Sequence, residues 1–149
     1  MISSAVPELL RSEVDPTIAI DPAEVARVVE EIFPEALGVW IYGSFADGSA
    51  RRESDLDIGI LPVAGLDSWS LFERAQDVAA ELHRKVDLVD LTMVSDVLRH
   101  EAIGRGVRVA ARDPLACDRF EVASLAKFLA LSDAMQDWLD EIRSRGTVY

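Results

Sequence analysis

Asp55 and Asp57, at alternate positions of the apolar run SDLDIGI, are the residues of this chain best suited to chemistry. Strand interiors disfavour aspartate, because a carboxylate on a packed face must be paired, hydrogen-bonded or metal-bound. Alternation puts both on one face of a strand, about 7 Å apart at their Cα atoms. Carboxylates so placed lean toward one point and suit a hard divalent cation such as Mg2+. A site for two ions ~3.5–4 Å apart needs bridging carboxylates and is completed by a third. The run VDLVDL at 86–91 offers Asp87 and Asp90, which differ in parity and so face opposite sides of their strand. Asp87 is preferred, since Asp90 lies at the strand-to-loop transition, where a turn accounts for it.

A second feature stands upstream. Gly43 and Ser44 close another apolar run, LGVWIY, and ten residues separate Ser44 from Asp55. The following FADG reads as a helical turn. Free N–H groups at a helix start bind phosphate, glycine lets the phosphate approach the main chain, and the serine hydroxyl can donate to a phosphate oxygen. The two halves fit a nucleotide site in which metal ions bridge a triphosphate and the carboxylates. Gly-Ser alone is worth little as a signal. Its spacing from Asp-x-Asp, in a strand–turn–strand context, carries the weight. The competing explanations are plain ones: solvated edge-strand acids paired to Arg51 and Arg52, a simple cap at Gly43–Ser44, and an ordinary strand-edge acid at Asp87.

The elements that must position these residues follow from periodicity. Residues 1–20 hold Pro7 and Pro16 without a sustained period and read as an N-terminal arm. The remaining 21–149 read as a single domain. DPAE has an N-cap, a proline at the first helical position and a glutamate three residues after the cap, so Asp21 starts a helix that Pro34 stops. Strands are expected at 37–42 and 56–61, then a helix over SWSLFERAQDVAAELHRK with Ser70 and Glu73 as a capping box. A third strand follows at 86–91, a short helix from Ser95 to near Gly104, and a fourth strand at 107–111. From Asp113 to Gly146 apolar residues recur at three, four or seven and predict a long amphipathic helix with room for a break. The order is that of an α/β fold, one sheet of about four strands flanked by helices.

Composition narrows the partners. The 149 residues carry 27 acidic and 15 basic side chains, a formal net charge of −12. Such a surface repels a nucleic-acid backbone, which argues against direct nucleic-acid binding and favours a basic protein or a substrate brought in with cations. Solubility alone is the bland account of the same charge. The single Cys117 excludes an internal disulfide framework and reads as an inert thiol. No His/Cys spacing suggests zinc, and His83 and His100 read as solvated helix residues. Neither a leader nor a membrane-length apolar run is visible, so the expected setting is cytoplasmic, with no membrane partner. Phe128 and Trp138 read as core. The alternative has part of their stripe serving an interface with a partner or a second copy, a homo-oligomer.

The stretch GSFADGSARRESDLDIGI resembles the signature of the minimal nucleotidyltransferases of the DNA polymerase beta superfamily: Gly-Ser, about ten residues, Asp-x-Asp, then a later aspartate between apolar residues. The resemblance spans roughly residues 22–145 and implies a polymerase beta-like mixed sheet. The length and the Phe120–Glu121 pair ahead of a long C-terminal helix look like the antitoxin branch, whose partners are HEPN-domain toxins, basic RNases. It implies transfer of AMP from ATP to a toxin tyrosine, with Gly43 and Ser44 on the triphosphate and Asp55 and Asp57 on two Mg2+ ions. Asp87 would bind metal and help deprotonate the attacking hydroxyl. One departure is Asp47, where such proteins commonly have arginine; Arg51 or Arg52 would then supply the cation. Rival functions are a small-molecule transferase of the aminoglycoside type and a non-catalytic antitoxin acting by binding alone.

Overall fold

A computed structural model describes residues 19–146, so the expected arm falls almost wholly outside the described residues. The element order is α1 (Pro22–Ile32), β1 (Ala36–Tyr42), α2 (Ser44–Asp47), β2 (Leu56–Pro62), α3 (Ser68–Leu82), β3 (Val86–Asp90), α4 (Asp96–His100), a π-helical turn (Glu101–Arg105), β4 (Val107–Ala111) and α5 (Pro114–Arg145). Among the described residues no helix is long and apolar enough to cross a membrane.

The four strands form one mixed sheet in the order β3–β2–β1–β4. β1 runs antiparallel to both of its neighbours, whereas β2 and β3 are parallel. A parallel pair requires a crossover, and α3 supplies it. On one face Val39, Ile41, Leu56, Ile58 and Ile60 meet the apolar stripe of α1 and the inner side of α3, forming the larger core. On the other face Trp40, Tyr42, Leu61 and Leu91 lie under Ala102 and Cys117.

Caps set the helix boundaries. Asp21 caps α1 as expected, with proline at the next position. For α3 the cap is Asp67, which accepts from the Ser70 N–H at 3.1 Å, so Ser70 is the capped residue and not the cap. Ser95 caps α4, and Arg99 fastens that helix to the end of β3 by donating to Leu91 O at 2.7 Å, Val94 O at 2.9 Å and Asp96 at 2.6 Å.

The last helix runs unbroken for 32 residues. Its first half covers the second face: Glu121 accepts from Trp40 Nε1 at 3.1 Å and from Arg108, which also binds Asp118. The buried Cys117 donates to Leu37 O, and burial first of all pushes its thiol up to about 11, in keeping with an inert role. Beyond Phe128 the expectation of core fails. Residues 129–138 are all exposed, Trp138 at 56 %. Phe128 itself is half-buried and stacked on His100, ring centroids 3.7 Å apart, so His100 is a packing partner and not a fully solvated residue.

Candidate active site

The site lies at the end of the sheet where β1 finishes and β2 and β3 begin. In that register Tyr42 of β1 is opposite Asp57 of β2, and Asp57 is opposite Asp87 of β3. Thirty residues apart in sequence, Asp57 and Asp87 become neighbours on one face because their strands are parallel and start together. Asp55 immediately precedes β2 and shares the parity of Asp57.

The three carboxylates are not equivalent. Asp55 and Asp87 are exposed, and Asp57 is half-buried. Burial, then the charges of Asp87 and Asp55, push the Asp57 carboxyl up to about 6. Burial, then the charges of Asp57 and Asp87, also push the Tyr42 phenol up. Among the described residues, none donates a hydrogen bond to Asp57. Like charges held together without a compensating donor are the arrangement that a bound cation relieves.

Gly43 is coupled to this group. Its backbone has φ +69°, and a Cβ there would overlap Asp57 Oδ2. Glycine is thus required twice over, by the left-handed dihedral and by the carboxylate lying against its Cα. Ser44 opens α2 next to it and is half-buried. The turn closes through Asp47, whose carboxylate accepts from the Ser49 N–H at 2.9 Å and the Ser49 hydroxyl at 2.5 Å. Those two bonds hold Asp47 below the usual carboxylate range, and its charge is not among those that raise Asp57. Asp47 therefore builds the turn. Arg51 and Arg52 sit exposed on the next turn, where the Arg51 N–H donates to the Ser54 hydroxyl ahead of Asp55.

Asp90 is separated from the site as its parity requires. It is 2 % exposed and accepts from Leu66 N, Thr92 N and Thr92 Oγ1 at 3.1, 2.9 and 2.6 Å. It ties the loop after β2 to the loop after β3 and is a structural residue.

The donor set at the Asp57 end is all oxygen and anionic, the chemistry that Mg2+ prefers. Among the described residues no three metal-ligating side chains converge tightly enough to enclose an ion alone. An ion held there would draw the rest of its shell from water and other oxygen donors. The crowding at Asp57 and the side-chain-free approach over Gly43 fit such a shared ion. Sequence reasoning did not find Tyr42 as a wall of the site; its place at the end of β1, one residue before Gly43, was the available signal.

Comparison with known proteins agrees with this geometry. The protein adenylyltransferase MntA of Shewanella oneidensis is 27 % identical over 121 residues, which cover 80 % of this chain and 85 % of the relative. A toxin–antitoxin crystal structure with AMP-PNP superposes with a TM-score of 0.72 at 26 % identity, covering 83 % of this chain and 99 % of the other. A complex of tri-AMPylated Shewanella oneidensis HEPN toxin with MNT antitoxin shares the fold, with a TM-score of 0.65 and 24 % identity over 82 % of this chain and 95 % of that one. Residues 27–115, more than half of the chain and inclusive of every residue of the site, match the polymerase beta nucleotidyltransferase family, to which this protein belongs.

Proposed function

We propose that this nucleotidyltransferase is an antitoxin that transfers AMP from ATP to a tyrosine hydroxyl of a HEPN-domain toxin, a basic RNase. The observation that carries the reading is the set of three acids gathered at the start of the β2–β3 pair, with Asp57 against the bare Cα of Gly43. The kinship with MntA and with the AMP-PNP complex supports ATP and a protein acceptor. ATP is a cytoplasmic substrate, so the reaction belongs there.

Asp55, Asp57 and Asp87 would hold Mg2+, two ions in the full site. Bound there, the metal would offset charge on the triphosphate and at the transferring phosphorus. The chain's own residues do the rest. Gly43 admits the triphosphate to the main chain, and the Ser44 hydroxyl and the first N–H groups of α2 donate to its oxygens. Arg51 and Arg52 add positive charge at the rim. Asp87, exposed at the sheet end, accepts the proton of the incoming tyrosine hydroxyl. The tyrosyl oxygen then forms its bond to the α-phosphorus in line with the bond that breaks, and pyrophosphate leaves.

The test uses ATP labelled at the α-phosphorus, Mg2+, the purified protein and a HEPN-domain toxin from the same genome. Label on a toxin tyrosine, absent with Asp55→Ala/Asp57→Ala, is the expected outcome. Toxin neutralisation that persists in that double variant, with no label in either case, would replace catalysis by binding.

A further inference from the structure

Tyr42 is enclosed except at its tip. Its ring belongs to the second core, with Trp40, Leu61, Leu91 and Ala102, and the residue is 5 % exposed. The π-helical turn is seated on this end of β1. A Cβ on Gly106 would overlap Ala102 O and lie 2.8 Å from Ile41 O, so only glycine lets the turn close there. The hydroxyl is treated differently from the ring. Among the described residues no group hydrogen-bonds to it, yet the buried side-chain polar atom left without a partner is Arg74 Nε. The Tyr42 oxygen therefore reaches solvent, and it does so beside the acids.

Register fixes its place. Directly paired residues on neighbouring strands share a face, and Tyr42, Asp57 and Asp87 are paired in that order across β1, β2 and β3. The charges that act on the phenol are those of Asp57 and Asp87, and that of Asp55 is not among them. The hydroxyl thus stands on the inner side of the site, one residue before the bare main chain of Gly43. Packing gives no reason for an oxygen here. Phenylalanine would fill the same space, and this phenol donates to neither carboxylate beside it.

We propose, on the nucleotidyl-transfer reading of the acids, that the Tyr42 hydroxyl is a catalytic residue: an uncharged donor to an oxygen of the phosphate that is transferred, the α-phosphate of the nucleotide. A phenol with an ordinary pKa of about 10 carries its proton at neutral pH and keeps it throughout the step. The transition state spreads charge over the oxygens of the transferring group, and a donor already in position offsets it without rearrangement. Neutrality matters at this position. Lysine or arginine would pair with Asp57 and compete with the metal for it, whereas a phenol leaves the carboxylates free. With the tail of the triphosphate on Ser44 and the first N–H groups of α2, the α-phosphate falls to the row of Tyr42, Asp57 and Asp87.

The experiment is Tyr42→Phe, which removes one oxygen and keeps the ring, with Asp55→Ala as the reference for a damaged metal site. Thermal unfolding should match wild type, because the hydroxyl makes no bond in the free chain. Two ligands are titrated with Mg2+ in the absence of toxin: α,β-methylene-ATP, which cannot release its AMP, and pyrophosphate, which lacks the α-phosphate. Tyr42→Phe should bind the methylene analogue ~3- to 10-fold more weakly and pyrophosphate as wild type does, whereas Asp55→Ala should weaken both. With a HEPN-domain toxin from the same genome, Tyr42→Phe should lower kcat for AMP transfer ~10- to 100-fold and leave the KM for the toxin unchanged. Analogue binding equal to wild type overturns the proposal. So does an equal loss for pyrophosphate, which would make the hydroxyl a support of the metal site as a whole. A raised toxin KM at constant kcat overturns it too, by placing the hydroxyl against the acceptor. Tyr42-dependent binding of the analogue by a wild type that labels no toxin would sink the protein-adenylylation reading and leave the α-phosphate contact standing.

Discussion

The two ends of the parallel pair β2–β3 each hold an aspartate within the sheet, and the two are treated in opposite ways. Asp90 is buried and accepts three hydrogen bonds from Leu66 and Thr92. Asp57 is half-buried among other acids, and among the described residues no donor answers it. A buried carboxylate that is fully satisfied stabilises local structure; one that is left crowded is a cost the fold carries for a ligand. Removing each side chain should therefore separate stability from activity.

The largest effect expected is on activity at Asp57. Asp57→Asn should reduce AMP transfer by ~1,000-fold or more, the scale of losing an electrostatic anchor of the transition state. It should also raise the melting temperature of the metal-free protein, because the repelling charge is gone. A fall in stability on this substitution would break the comparison. Asp90→Ala should do the reverse and cost about 3 kcal/mol in denaturant unfolding, since two backbone N–H groups lose their acceptor. Any transfer it loses should be recovered at a temperature where the variant is folded.

Gly43→Ala should cost about 2 kcal/mol from the positive φ and displace Asp57, lowering both stability and transfer. It is the substitution that distinguishes a crowded Asp57 from a merely exposed one. The smallest effect is the pH dependence. Asp57 titrates at about 6 when folded against an ordinary 3.8, so between those values the folded chain holds the extra proton. Its charge is thus a full penalty above about pH 6, and stability is regained as pH falls from there toward 4. Solvent screening reduces the gain to on the order of 1–2 kcal/mol. Equilibrium unfolding across that range, with Asp57→Asn as the flat reference, measures it.

Much of this was legible in the residues. Alternation placed Asp57 and Asp87 on strand faces, and opposite parity separated Asp87 from Asp90, as the register then bore out. Parity does not give pairing, however. That Asp87 stands beside Asp57 depends on β2 and β3 running parallel, which only the crossover by α3 decides. The Tyr42 wall depends likewise on a pairing, the antiparallel register of β1 with β2. At 67–70 Asp67 took the cap that Ser70 was expected to provide, and by accepting from the Ser70 N–H it places Ser70 inside the first turn. The misreading of Trp138 as core has a different cause. A 3.5-residue stripe is the same pattern whether it is covered by its own chain or by another, and sequence cannot say where the body ends.

The parallel pairing also dictates when the chemistry can exist. β1 and β2 meet through the local connection 43–55 that holds α2, but Asp87 joins Asp57 only after a thirty-residue loop has closed and α3 has docked, so the site depends on the slower, non-local step of folding. A nascent chain released before β3 carries Gly43, Ser44, Asp55 and Asp57 and no third acid. Refolding followed in parallel by fluorescence and by the return of AMP transfer should show activity lagging until that crossover is complete, so the chain is catalytically silent until its topology is finished.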